Sequence, residues 1–124
     1  MYIGTLVMAP KGTAGTTTSY YTPWMPRQAQ NAWFTFQLIQ SLLAATGSFT
    51  ILPYHKNRED RGDEGTAVSG SFSEITSGTG YYQMKCEGLK ELVRFRIDVK
   101  VGGGGYPEGA VYRLLAAMWY DKIV

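Results

Sequence analysis

The chain has 124 residues, the size of one domain, and a chain of this length buries about two thirds of its unfolded surface around one core. Its formal net charge of +2, from 12 basic and 10 acidic side chains, is too small and too mixed for the basic field that nucleic-acid binding needs. A single cysteine, Cys86, excludes an internal disulfide and a zinc site built from thiols, and is expected to be a small buried hydrophobe. We therefore expect a single domain over residues 1–124 that binds no nucleic acid.

Targeting and membrane signals are weak. Residues 1–10 contain no basic side chain ahead of a short, interrupted apolar stretch, so no signal peptide is predicted. The longest apolar runs, such as residues 114–120, fall far below the roughly 18 residues of a membrane-spanning helix. We expect no membrane association.

Eight segments predict β-strands. In chain order they cover residues 2–8, 17–24, 33–40, 48–54, 66–75, 81–87, 92–101 and 110–120. The aromatic content of 14% and the 15 glycines are typical of strands joined by tight turns. This spacing predicts an all-β fold, an antiparallel two-sheet β-sandwich that is jelly-roll-like and has about eight strands.

Residues 11–21 allow a second interpretation. Thr and Gly dominate this segment, and it supplies few side chains for a core. The sequence is thus also compatible with an extended N-terminal arm that reaches a neighbouring subunit. The arm overlaps the strand predicted over residues 17–24, and both interpretations stay open at this point.

Two Ala- and Leu-rich segments, residues 29–46 and 110–120, could each be written as an amphipathic helix. Aromatic residues in the first favour a strand, although a short helix near residues 40–45 remains compatible with it. The glycine run at 102–105 suits a hairpin-like return from the strand at 92–101, and this favours a strand in the second.

The strand at 92–101 has the clearest pattern. Five apolar residues, Val93, Phe95, Ile97, Val99 and Val101, alternate with Arg94, Arg96, Asp98 and Lys100. Because side chains alternate across a strand, one face is predicted to enter the core. The charged face is predicted to meet solvent or another subunit.

Motifs for catalysis, metals or phosphates are not convincing. His55 is the only histidine and has no nucleophile motif to serve. The acids Glu59, Asp60, Asp63 and Glu64 are interleaved with basic residues and do not have the spacing of a calcium loop. The tripeptide at 61–63 matches the one that integrins bind, but a match of three residues is better explained by chance. The glycine run at 102–105 is predicted to be a flexible turn and not a phosphate-binding loop. We predict no enzyme, no cofactor and no metal.

Aromatic residues exceed what one small core needs, so some must lie near the surface. Exposed Tyr and Trp serve as anchors in protein interfaces or as stacking platforms for sugars. The interface candidates, which include two arginines of the charged strand face, are Tyr20, Tyr21, Trp24, Trp33, Arg94, Arg96, Tyr106 and Trp119.

The order of several segments resembles small virion proteins of tailed bacteriophages. The segments are Gly15-Thr16-Thr17-Thr18, Trp33-Phe34-Thr35-Phe36-Gln37, Thr46-Gly47-Ser48-Phe49-Thr50-Ile51, Glu87-Gly88-Leu89-Lys90-Glu91-Leu92-Val93-Arg94-Phe95, Val111-Tyr112-Arg113-Leu114-Leu115 and Trp119-Tyr120-Asp121. The resemblance implies a β-sandwich subunit located in the virion that decorates or stabilises the capsid, or is a head-tail accessory. Its partners would be other virion proteins, such as the major capsid protein, and further copies of itself in a homo-oligomer.

A carbohydrate-binding module is the alternative from a different class. It would use Trp24, Trp33, Trp119 or several Tyr side chains as a stacking platform on the sandwich. Like the virion subunit, it predicts binding without catalysis.

Overall fold

The structure, a computed structural model, describes residues 4–62, 64–68 and 79–121. These residues form two antiparallel sheets packed face to face, and the prediction of an all-β sandwich is confirmed. Within the described ranges, no helix has the length and hydropathy that crossing a membrane would require.

Ten strands make up the two sheets. They are β1 (Thr5–Ala9), β2 (Thr17–Tyr21), β3 (Met25–Pro26), β4 (Asn31–Leu42), β5 (Ser48–Lys56), β6 (Thr66–Ala67), β7 (Gly80–Cys86), β8 (Leu92–Lys100), β9 (Glu108–Leu114) and β10 (Met118–Tyr120). Sheet A has the order β1-β9-β4-β7, and β10 pairs with the start of β4. Sheet B has the order β2-β8-β5-β6, and β3 pairs with the start of β8.

The strand order is that of a jelly roll. Without the short strands β3 and β10, the eight remaining strands alternate between the sheets as first-eighth-third-sixth and second-seventh-fourth-fifth. Two Greek keys folded together generate this order. The jelly-roll expectation and the count of about eight strands therefore agree with the structure.

The predicted segments correspond to observed strands with four differences. The strand predicted over 17–24 ends at Tyr21, and the two-residue strand β3 lies outside the predicted segments. The segment 110–120 contains two strands, because residues 115–117 separate β9 from β10. The strand predicted over 66–75 is described only as β6, since most of it lies outside the described residues. Residues 40–45 contain the end of β4 and the start of a turn instead of the short helix.

The arm interpretation of residues 11–21 is wrong for its second half. Thr17–Tyr21 forms β2, which pairs with β8 from Thr17 opposite Lys100 to Tyr21 opposite Arg96. The loop before it is also attached, because the Gly15 N–H donates to the Val101 carbonyl at 2.9 Å. The edge of β8 has backbone groups that need partners, and β2 supplies them.

The core lies between the sheets and follows the predicted alternation. Val93, Phe95, Ile97, Val99 and Val101 are all buried. On sheet A, the inward side chains of β4 are Ala32, Phe34, Phe36 and Leu38, which alternate along the strand. Cys86 is buried among these apolar residues.

The glycine run at 102–105 does not form a hairpin. β8 belongs to sheet B, whereas β9 pairs with β1 and β4 in sheet A. The loop therefore crosses from one sheet to the other. The expected hairpin fails because β8 already has partners on both sides, so β9 pairs elsewhere.

Candidate functional site

The outer face of sheet B carries a cluster of cations and aromatic rings, which we call the cation-aromatic cluster: Tyr21, Trp24, Tyr54, Lys56, Arg94 and Arg96. The Arg94 guanidinium carbon lies 4.3 Å from the Tyr21 ring centroid and 4.5 Å from that of Trp24. The Lys56 Nζ lies 4.9 Å from the Trp24 centroid. Cations at these distances are attracted to the ring faces.

Alternation along the strands places these side chains together. Tyr21 on β2 and Tyr54 on β5 lie opposite Arg96 and Arg94 of β8, respectively. These positions face away from the core because their neighbours in the chain face into it. Trp24 lies in the loop between β2 and β3, and its ring packs against Arg94.

The second arginine of this cluster, Arg96, is held by three kinds of contact. Its guanidinium carbon lies 5.3 Å from the Tyr54 ring centroid, and its Nη1 donates to the Tyr54 hydroxyl at 2.6 Å. Its Nη2 lies 3.1 Å from Asp98 Oδ2, and Asp98 also accepts a hydrogen bond from Ser19 at 2.7 Å. The cluster is thus a preorganised surface whose cations already have partners within the domain.

The other interface candidates lie elsewhere. Tyr20 closes the gap between the two sheets, and its hydroxyl donates to the Met8 carbonyl. Tyr106 is exposed in the loop at 102–107. The Trp119 ring is partly buried and packs edge-on against Phe34, with centroids 5.6 Å apart, so it belongs mainly to the core. Trp33 projects from the outer face of sheet A.

The outer face of sheet A exposes a second group, which we call the apolar face: Leu6, Trp33, Ile39, Tyr81 and Met118. Their exposed fractions run from 37% for Trp33 to 68% for Met118. Trp33 and Met118 are paired at one end, where β10 lies beside β4. Sequence reasoning selected only Trp33 from this group. The alternation of β4 indicated Ile39, but no pattern indicated that Leu6 or Met118 shares its sheet.

A polar band separates the two ends of the apolar face. The Gln83 Nε2 donates to the Thr35 hydroxyl at 3.4 Å, and the Arg113 Nε donates to the Gln37 Oε1 at 2.6 Å. Side chains that are already held by such bonds lose less conformational entropy when a partner binds. The face therefore combines exposed apolar area with fixed polar groups.

Two residues with reactive side chains, His55 and Cys86, occupy structural positions in the fold. The His55 Nδ1 accepts the Lys90 N–H at 3.2 Å. Burial, and to a lesser degree Lys90, lower the pKa of His55, which favours the neutral ring. Burial raises the pKa of the Cys86 thiol to about 11, so it is not a thiolate nucleophile at neutral pH.

Metal ligands do not converge in the part of the chain that the structure describes. No group of three His, Cys, Asp or Glu side chains occurs there. Asp60 instead accepts the Asn57 N–H at 3.0 Å and closes a turn. Asp63, which belongs to both the acidic segment and the 61–63 tripeptide, lies outside the described residues.

Glu108 at the start of β9 is a buried carboxylate that the sequence did not single out. It accepts the N–H groups of Ala44 at 2.7 Å, Gly102 at 2.9 Å and Gly103 at 3.2 Å. Burial by itself would raise the pKa of Glu108, but these donors and the Gly104 N–H outweigh it, and the pKa is lowered. The glycine run thus surrounds an anion, and that anion is the protein's own side chain.

Two glycines make this close approach possible. A Cβ on Gly47 would lie 2.8 Å from the Glu108 Oε1, and Gly103 has a φ of 77°. L-residues with a side chain rarely adopt such a φ. The loops at 43–47 and 102–105 are therefore fastened to each other through Glu108.

No protein-family model matches the chain, and no curated protein is significantly similar to it in sequence.

Proposed function

We propose that the protein is a non-enzymatic structural subunit of a tailed-phage virion that packs against other subunits, including copies of itself. The observation that carries the proposal is the apolar face, where five large apolar side chains are exposed on one sheet. Grouped exposed apolar residues with a polar surround mark protein interfaces. The assignment of the protein to a phage virion rests on the segments that resemble phage virion proteins.

Two further observations support an assembly role. Jelly rolls recur in viral capsid domains, which is an analogy at the level of the fold alone. The cation-aromatic cluster provides a rigid outer surface on the opposite sheet, so neighbours could be contacted on both sides. Repetition in a particle strengthens contacts that are individually weak.

The apolar face predicts self-association that two exposed substitutions should disrupt. We expect the wild-type protein to form an oligomer whose mass rises with concentration in sedimentation velocity. The double variant Leu6→Lys, Met118→Lys should remain a monomer, because it places charges in an interface that would be desolvated. Both residues are exposed, so the fold should be retained.

The matched control is Tyr106→Lys, which changes another exposed large side chain, in the loop at 102–107. It should associate like the wild type. Mass spectrometry of purified particles of the phage whose genome encodes the protein tests whether the protein is located in the virion. A wild-type monomer at high concentration, together with its absence from particles, would rule out the virion role.

A second candidate function, carbohydrate binding, is favoured by the surroundings of Trp33. This ring lies in a shallow depression of about 300 Å³ with Thr35, Gln83 and Met118, where polar groups stand beside an aromatic platform. Trp24 suits a sugar less well because Arg94 and Lys56 lie within 5 Å of its ring centroid, whereas the Lys85 Nζ lies 5.9 Å from the Trp33 centroid. Trp119 packs on Phe34.

If this candidate is correct, a glycan array should identify a sugar that Trp33→Ala no longer binds, since stacking requires the ring. Tryptophan fluorescence titration with that sugar gives the affinity. Tyr21→Ala, on the other sheet, should bind as the wild type does. An array without saturable binding would eliminate the lectin-like function and leave the assembly role untouched.

A further inference from the structure

One end of the sandwich contains a cleft of about 390 Å³ between the two sheets. Its mouth lies between β3 of sheet B and residues 115–117, which connect β9 to β10 in sheet A. The cleft shares Thr35 with the polar band of the apolar face, but none of the residues that define the apolar face or the cation-aromatic cluster lines it.

Aromatic rings line the inner part of the cleft. Phe34 packs edge-to-face on Phe95, with centroids 5.0 Å apart and ring planes at 83°. Trp119 meets Phe34 in the same way at 5.6 Å and 85°. Rings in this arrangement are fixed by one another, so the aromatic wall is preformed.

The strand pattern leaves the cleft accessible. β3 has only two residues and pairs only with the start of β8. On the opposite side, the Leu115 N–H donates to the Thr35 carbonyl at 2.9 Å, which holds the connecting segment beside β4. Both sides of the mouth are thus attached to strands, and the short β3 forms the edge of sheet B here.

Size and charge define what the cleft can take. A cavity of about 150 Å³ lined by apolar side chains accepts benzene, so the larger cleft has room for two fused rings. None of its described lining residues carries a charge, and Gln28 and Thr35 are the polar ones. Small-molecule sites are generally preformed, mostly apolar and supplied with a few polar groups.

We infer that this cleft binds an uncharged, largely apolar small molecule with the bulk of two fused aromatic rings. The Phe34, Phe95 and Trp119 rings supply the apolar contact. Gln28, at the mouth, is placed to donate or accept one hydrogen bond. A charged ligand is excluded because burial in this lining would remove its hydration without providing a counter-ion.

The test uses two dyes that share the two fused rings of naphthalene. 1-Naphthylamine is uncharged at neutral pH, and 5-amino-1-naphthalenesulfonate adds a sulfonate. The neutral dye should bind the wild-type protein saturably, one per chain, with quenching of tryptophan emission because Trp119 lines the cleft. The sulfonate should bind about tenfold more weakly or worse.

A substitution that fills the cleft should remove this binding. Ala117→Phe places a ring in the lining and should weaken the neutral dye by about tenfold or more. Ala67→Phe, on the exposed β6, makes the same chemical change away from the cleft and should bind as the wild type does. Equal binding by Ala117→Phe and Ala67→Phe would overturn the inference, as would equal affinity for both dyes.

Measurements on the wild type keep the test decisive if Ala117→Phe does not fold. NMR should show nuclear Overhauser contacts from the neutral dye to the Met25 and Ala117 methyl groups, which both line the cleft. Contacts to Leu6 or Ile39 instead would place the dye on the apolar face and refute the site. A neutral-dye affinity that falls as protein concentration rises would show that a second copy of the chain occupies the cleft, and would also refute it.

Discussion

Glu108→Ala is expected to destabilise the protein by about 3 kcal/mol, because it removes the acceptor for three part-buried N–H groups. Ala44, Gly102 and Gly103 donate to this carboxylate, and Glu108 itself is fully buried. An unpaired buried donor costs about 1 to 3 kcal/mol, and whole domains are stable by only about 5 to 15 kcal/mol. Urea denaturation followed by tryptophan fluorescence measures the loss.

A conservative variant of Glu108 and a control at an exposed carboxylate test this explanation. Glu108→Gln keeps one acceptor oxygen and should cost less, about 1 to 3 kcal/mol. Glu59→Ala removes an exposed loop carboxylate and should change the free energy of unfolding by no more than about 0.5 kcal/mol. If Glu108→Ala were as stable as Glu59→Ala, the carboxylate would not hold the two loops together.

The same carboxylate gives a pH dependence with a defined sign. The pKa of Glu108 is lower in the folded protein than its ordinary value of 4.5. Its stabilising contribution is therefore complete above about pH 4.5 and is lost as the pH falls through the folded-state pKa. The stability difference between the wild type and Glu108→Gln should shrink over that range. His55 titrates in both proteins, so its effect cancels in the comparison.

We expect Phe36→Ala to lower the free energy of unfolding by about 3 to 5 kcal/mol, because it would leave a cavity in the core. Phe36 is fully buried on sheet A, and its ring stacks on Tyr82 with centroids 5.4 Å apart. It also meets Phe49 of sheet B at 6.4 Å, so it joins the two sheets. Equilibrium denaturation provides the measurement.

The matched control for Phe36 is Ile39→Ala, which lies on the same strand but is 41% exposed on the outer face. We expect it to lose about 1 kcal/mol or less. A loss from Phe36→Ala no greater than that from Ile39→Ala would contradict the packing of the two sheets through this side chain.

Strand positions and their buried faces could be predicted from the sequence because they depend on local alternation. The residues that enter the core from β8 were all identified in this way. Arg94 and Arg96 were correctly assigned to the outward face for the same reason. The two ambiguous segments contain strands and no helix, as predicted, although the hairpin that favoured a strand in the second segment does not form.

Pairing could not be predicted in the same way because it depends on residues far apart in the chain. Nothing near Thr17–Tyr21 shows that it forms an edge of sheet B, since its partner β8 begins about seventy residues later. β9 was expected beside β8 but joined β1 and β4 of the other sheet. The apolar face and the cleft depend on such pairings and were therefore not foreseen.

The sequence by itself determined the β-rich class of the fold and the alternation of its strands, and it contains no recognisable catalytic motif. Only the tertiary structure decided the jelly-roll order, the grouping of exposed side chains and the role of the glycine run. Glu108 illustrates the reason, since its donor Ala44 is 64 residues away and acts through its backbone N–H. Every residue except proline has a backbone N–H group, so the identity of residue 44 does not show that its N–H will bind a distant carboxylate.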